Sequence, residues 1–499
     1  DLFFIYIVFI FLLFIKKIKL IKVYLIKILI KTFEDLKLLL NQKKLTNLIT
    51  IVFSIVFLSI IIQNVYSDIH NNGQVFRVFT MQDVVYQYDY WSKEYYVGII
   101  PETSFLKPQL MSASLSFFYI FLGSKHYEFA PLIFYSTIPF FFVFASVSYA
   151  IINKNLLFLP TAFLAIIFLY SKTFGQAFSG HMEIILGLWF FILLLFFSEF
   201  KKLIYKDKKL FFILFLIVTS CAFIKELAWI NLAILFLFTI FTEKKYFFKN
   251  IKEILIYCII FFLFIFSFYL YQYYEYGLKG NFETIFKLLT FDYDYYITVH
   301  NWDESILNFK SRVVTALNKF SQFIIIPFLG LFLIEKKSQI LKIFILITVV
   351  QTLFWINFTS FYYHYLYISY FFVLSFGYLG LIEFFIKIIK KKFFLFLCLM
   401  SLLIISIIVI KEKTPDKNKI LNKITKKKIA LNFNNQDFEE INYFFYNYFF
   451  NRKNKEKIIT NYPTIYSKNI PLFEENFIYQ KNIIESKNQI NNFNYIFIF

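Results

Sequence analysis

Long apolar runs, recurring from one end of the chain to the other and separated by short lysine-rich or tyrosine-rich connectors, constrain this sequence more than any other feature. Plausible membrane spans fall at roughly 1–14, 49–64, 129–151, 156–171, 183–200, 210–224, 227–242, 253–274, 321–334, 341–356, 363–385 and 393–410. Several are shorter than the ~20 residues that cross a bilayer, so their ends must extend into the connectors. Of 499 residues 59% are hydrophobic and 75 are Phe, and the mean hydropathy is +0.63. A water-soluble barrel or doubly wound sheet needs helices with a polar face, and this sequence lacks them. The expected fold class is an all-α polytopic membrane protein of about 11–13 transmembrane helices. The high Lys, Ile, Asn and Phe content looks like AT-rich coding bias, so a single Phe carries little functional information.

The formal charge of +20 invites a nucleic-acid reading. The lysines instead collect beside apolar runs, as membrane anchoring requires. There is neither a separate basic domain nor a basic strip with interleaved aromatics, so no nucleic-acid partner is expected. Cys221, Cys258 and Cys398 lie inside apolar runs without metal-ligand spacing and read as packing residues. Residue 1 is Asp, so the true start is open, and the first run lacks the small-residue cleavage pattern of a signal peptide.

Three divisions follow. Residues 1–48 hold a first span and a basic amphipathic connector, in which lysines at 19, 22, 27 and 31 alternate with apolar residues. Residues 49–411 read as a transmembrane domain with outer loops 65–128 and 275–320, the part that would hold any catalytic site. Residues 412–499, rich in Asn, Tyr and Ile, read as a small soluble α/β segment. Basic connectors at 201–209, 243–250, 335–337 and 387–392 alternate with acidic or neutral ones at 65–112, 172–182 and 275–320. The basic set therefore faces the cytoplasm and the long loops face outward, which puts 412–499 outside, although eight lysines in 411–428 oppose that direction. The expected location is a bacterial cytoplasmic membrane, crossed many times.

Ionisable residues crowd the predicted outer ends. The first outer loop holds Asp68, Asp83, Asp89, Glu94 and Glu102 beside Arg77, Lys93 and Lys107. From Asp83 it reads D-x-x-Y through Tyr86, then an aromatic-rich helical stretch, then Lys107-Pro108-x-Leu110. It continues with Phe121-Leu122-Gly123-Ser124-x-x-x-Glu128 and a long apolar span. These residues resemble the first outer loop and the following helix of the polyprenyl-phosphate-dependent membrane glycosyltransferases. That group shares the GT-C fold and includes protein O-mannosyltransferases and aminoarabinose transferases; the resemblance covers roughly residues 49–245. The chain departs from it with Asp83-Val84 in place of Asp-Glu and Lys107-Pro108-Gln109 in place of Lys-Pro-Pro.

The resemblance implies a GT-C-like fold, a catalytic acid in the first outer loop and a lipid-phosphate sugar donor. Asp83 is the candidate catalytic acid, because a hydroxyl or amine acceptor must be oriented and deprotonated. Lys107 is the candidate for the lipid phosphate, with Arg77 as a second donor of better fork geometry. Lys225, in the Lys225-Glu226 pair that interrupts an apolar segment, is a third. Ser179-Gly180-His181-Met182-Glu183 stands at the outer start of a span. Glu183 there is a candidate second acid or helix-capping partner, and His181 with Glu183 is a candidate pair for a divalent ion shared with Asp83 or a distant outer histidine. Asp89, Tyr86, Tyr363 and His364 are candidate acceptor or sugar contacts, although an interfacial aromatic belt would give the same composition around His364.

No nucleotide cofactor is expected, because the chain holds no credible P-loop or Rossmann fingerprint. The expected partners are a polyprenyl-phosphate-linked sugar, a lipid, glycan or protein acceptor, and membrane lipids. A transporter or flippase of lipid-linked glycans is the first alternative; it would place ionisable groups deep in several spans and use paired broken helices. A non-catalytic membrane subunit or envelope polymerase is the second.

Overall fold

The computed structural model describes residues 45–70, 88, 90–96, 110–122, 133–171, 177–178, 180–204, 309–319, 322–335, 338–358, 366–389, 392–411, 458–460, 477–479 and 495–497, with scattered helical positions between 248 and 263. In chain order the helices are α1 (Leu45–His70), α2 (Tyr90–Tyr96), α3 (Leu110–Leu122), α4 (Ile138–Ile152), α5 (Phe158–Leu169), α6 (Met182–Ile204), α7 (Phe309–Lys319), α8 (Gln322–Gly330), α9 (Gln339–Phe358), α10 (Tyr367–Ile389) and α11 (Lys392–Lys411). A π-helical turn, Ile133–Thr137, leads into α4, and a 3-10 turn, Leu331–Leu333, extends α8. The expected spans at 49–64, 156–171, 183–200, 341–356, 363–385 and 393–410 each coincide with one of these helices within a few residues at the ends; 129–151 matches the π-helical turn with α4, and 321–334 matches α8 with the 3-10 turn. Those at 1–14, 210–224 and 227–242, and most of 253–274, lie outside the described residues.

Among the described residues, three helical stretches are long and apolar enough to cross a membrane: Leu45–Tyr66 (22 residues), Gln339–Asn357 (19 residues) and Tyr367–Ile389 (23 residues). Their outward faces are apolar as well. On α1, Leu48, Val52, Ile55 and Ile62 are exposed, while Phe53, Phe57, Ile61 and Val65 are buried on the opposite stripe. A surface of this kind suits lipid rather than water. Hydroxyls on these helices are absorbed internally: Thr50 donates to the Thr46 carbonyl at 2.8 Å, Ser54 to Thr50 at 2.7 Å and Ser375 to Phe371 at 2.6 Å. This one-turn return lets a hydroxyl sit among apolar groups without an unmet bond.

The hub is α5, whose residues are buried on almost every face and which packs against α1, α4, α10 and α11. A helix apolar all round belongs in such a position. Ring contacts set the register around it: Tyr149 meets Phe158 at 4.6 Å, Phe158 meets Phe376 at 4.8 Å and Phe191 meets Phe371 at 5.0 Å. In lipid, helix association gains no hydrophobic drive and depends on close packing, which small residues permit. The closest crossing here joins α8 and α10 side by side in the same direction. A Cβ at Gly377 would run into the backbone of Pro327, and one at Gly380 into the backbone of Gly330.

Two segments read as loops contain helices. The first outer loop includes α2 and α3, which pack on each other through rings such as Tyr96 and Tyr119 at 6.5 Å. Within 275–320, α7 is helical and packs on α9. In the C-terminal segment, β1 (Ile458–Thr460) pairs in parallel with both β2 (Phe477–Tyr479) and β3 (Tyr495–Phe497); the rest of 412–499 lies outside the described residues.

Candidate functional site

Gly180 precedes α6 with a φ of 113°, a left-handed conformation that glycine adopts without a Cβ clash. The turn it makes lets the His181 carbonyl accept the Ile184 N–H at 3.3 Å, and α6 begins at Met182. Glu183 therefore falls in the first turn, where the unpaired amides and helix dipole favour a carboxylate. That carboxylate is out of contact with solvent: Glu183 is 2% exposed and His181 8%.

The next turn brings a second helix to them. A Cβ at Gly187 would lie 2.7 Å from the Tyr367 carbonyl oxygen, so glycine there lets the start of α10 lie directly against α6. The His181 ring meets Tyr367 edge to face at 5.0 Å, and Tyr367 lies 5.7 Å from Tyr370. Glu183 stands one turn before Gly187 on the same face of α6, which sets it by the start of α10. Both tyrosines are 1% exposed.

Helix directions extend the cluster. Phe190 of α6 meets Phe344 of α9 at 4.6 Å. Glu183 stands seven residues before Phe190, and Gln351 stands seven residues after Phe344 on a helix running the other way. Both are thus displaced by about 10 Å toward the same end. Gln351 is 5% exposed and Trp355, one turn beyond, is buried. Against α9 packs α7, whose buried face carries Arg312 and Ala316. One end of the helix assembly thus gathers a carboxylate, an imidazole, an amide and two phenols on α6, α9 and α10, with a guanidinium on the adjoining α7. Such a set can accept and donate protons.

The opposite end is built differently. Glu383, near the end of α10, accepts the Asn155 amide at 3.2 Å and the Glu335 backbone N–H at 3.1 Å. Lys387 pairs with Glu335 at 3.2 Å, and both side chains are more than half exposed. Asn155 of the 153–157 connector and Glu335 are thereby held against the last turns of α10.

Of the residues singled out in the sequence, His181 and Glu183 are described and are brought together with Tyr367. Asp83, Arg77, Lys107, Asp89, Tyr86, Lys225, Tyr363 and His364 lie outside the described residues. On either side of Asp89, Tyr88 and Trp91 are buried, their rings 5.8 Å apart. The sequence reading passed over Tyr367, Tyr370 and Gln351. A signal was present for Gln351, a lone amide inside an apolar span. Tyr367 and Tyr370 sit in the same aromatic segment as His364, where composition alone does not tell a buried ring from an interfacial one. Among the described residues no three His, Cys, Asp or Glu side chains come together as a metal site. The third partners expected for the His181–Glu183 pair, Asp83 or a distant outer histidine, lie outside the described residues. No protein-family model, no curated protein and no solved structure matches the chain.

Proposed function

We propose that the chain is a multi-pass glycosyltransferase of a bacterial cytoplasmic membrane, with a GT-C-like arrangement and a small C-terminal α/β segment. It moves a sugar from a polyprenyl phosphate to a lipid, glycan or protein acceptor at the outer face. The observation that carries this reading is the buried Glu183 carboxylate beside His181 and Tyr367, at the end of the helices opposite Lys387. Lysine-rich connectors assign the Lys387 end to the cytoplasm, so this cluster falls on the face of the Asp83 loop. A carboxylate removed from water is costly to keep unless it has work to do or firm partners.

In the reaction, Asp83 orients the acceptor hydroxyl or amine and takes its proton as the acceptor atom attacks C1 of the sugar from the side opposite the phosphate. The bond from C1 to the phosphate oxygen breaks with its electron pair leaving on the polyprenyl phosphate, and the configuration at C1 inverts. Lys107, Arg77 and Lys225 meet the charge that develops on the leaving phosphate. Glu183 holds the polar end of the acceptor side through His181 and Tyr367.

The test is transfer of radiolabel from a panel of polyprenyl-phosphate monosaccharides in membranes carrying the wild-type chain or Asp83→Asn. The expected result is transfer by the wild type and a loss of about 100-fold or more in the variant at equal protein level. Full transfer by Asp83→Asn removes Asp83 from this role. Donor binding without transfer by the wild type favours a carrier of lipid-linked glycans instead.

A further inference from the structure

The buried stripe of α1 runs Phe53, Phe57, Ile61, Val65, and Asn64 lies within it at 8% exposure. Its side-chain nitrogen is covered and donates to nothing. Other asparagines of these helices dispose of the same group locally: Asn153 donates to the Tyr149 carbonyl at 3.0 Å and Asn357 to the Leu353 carbonyl at 2.8 Å. The Ile60 carbonyl stands in the same relation to Asn64 and is not used. Ser112 repeats the anomaly on α3. Its hydroxyl is fully buried without a partner, whereas Ser116 donates to the Ala113 carbonyl at 2.6 Å. Covered polar atoms without partners are rare in native chains, and those that persist call for an explanation such as an ordered water, an ion or a catalytic role.

These two positions bracket the segment that carries Arg77, Asp83 and Lys107. Asn64 also stands at the right end. Phe53 meets Phe396 of α11 at 5.8 Å, and α11 starts beside the end of α10, where Phe385 meets Phe394 at 6.0 Å. Asn64 lies eleven residues beyond Phe53 on α1, about 16 Å toward the end that holds Glu183. The same helix, α1, packs on the π-helical turn Ile133–Thr137, a local widening often found at functional sites.

We infer that Asn64 is a binding residue for the headgroup of a lipid-linked substrate, donating its amide N–H to a phosphate or sugar oxygen. The inference rests on the donor class given above. A headgroup oxygen accepts hydrogen bonds, which is what the unused N–H requires. A neutral amide can wait at membrane depth without a counter-ion, whereas a lysine there would need one. On binding, the ligand oxygen displaces the side chains now against the amide.

The test is lipid binding by the purified full-length chain in detergent, read as the rise in thermal midpoint across a titration. The probes are decaprenyl phosphate, decaprenyl phosphate bearing a hexose, and neutral decaprenol. Asn64→Leu is expected to weaken binding about tenfold, equal to ~1.4 kcal/mol, while the lipid-free midpoint stays the same or rises because an unmet polar group has gone. Loss with both phosphate lipids assigns the contact to the phosphate, and loss with the hexose-bearing lipid alone assigns it to the sugar. Asn64→Ala provides the same readout if leucine disturbs packing, and Asn153→Leu, at the opposite end, keeps wild-type affinity. Wild-type affinity in the Asn64 variants overturns the assignment and leaves the donor class standing. A wild-type chain that binds the phosphate lipids no better than decaprenol overturns the donor class, and the assignment with it.

Discussion

The two ends of the helix assembly handle charge in opposite ways. At the Lys387 end, Glu335 and Lys387 pair at 3.2 Å in open surroundings, and Glu383 accepts N–H groups from two connectors. At the other end, Glu183 and His181 are covered, with an aromatic ring as neighbour. Exposed ions are cheap to keep and contribute little, whereas a covered carboxylate has surrendered water and must be compensated. The first arrangement fastens loops; the second is the cluster on which the proposed transferase reading rests. Each end also has its glycine crossing, Gly187 on Tyr367 at one and Gly330 on Gly377 and Gly380 toward the other, and the latter is the tighter.

That contrast is open to direct tests. The largest effect is expected from Gly377→Ala, because its methyl group would enter the Pro327 backbone and neither helix can yield without losing the crossing. A destabilisation of about 3 kcal/mol or more should appear as a collapse in monodisperse yield from detergent; a normal yield and midpoint would mean the crossing is looser than the backbone contact implies. Next is Glu183→Gln, which keeps the shape and removes the charge. Transfer should fall by roughly 100-fold, while the near-isosteric amide keeps the packing and the thermal midpoint stays close to that of the wild type. A drop in midpoint with normal transfer would make Glu183 a fastening like Glu383 and erase the difference between the ends. The smallest effect belongs to Lys387→Met, expected to change stability by about 0.5 kcal/mol or less, with transfer unaltered. A larger loss would show that this exposed pair holds the α8 connector more firmly than its solvation suggests.

Helix positions were legible because an apolar run of the right length has few alternatives when the backbone must bond to itself. The run at 339–358 and that at 367–389 stand where the sequence reading put spans. In contrast, α3 was absorbed into a loop because its ends coincide with the Lys107-Pro108 and Leu122-Gly123 motifs, which drew the reading away from the thirteen apolar and small residues between. At the site, Glu183 and His181 were legible as polar residues at the start of a span. Tyr367 was not, since thirty-seven tyrosines give no sign of which ring will face a histidine. Glu383 was missed for a related reason: placed near the end of an apolar run, it looks like a boundary residue until Asn155 and the Glu335 backbone are seen to converge on it.

The sequence by itself determined that this chain is made of apolar helices and where most of them start and stop, because hydrophobic periodicity and backbone self-bonding are local properties of the chain. Only the tertiary structure decided which helices touch. Gly187 beside Tyr367, Gly377 beside Pro327 and the covered Asn64 amide on the stripe of α1 depend on pairings between distant segments. In a chain whose helices are apolar on nearly every face, the sequence pattern does not select one side for packing; shape does, through the few positions where a missing Cβ lets two backbones meet.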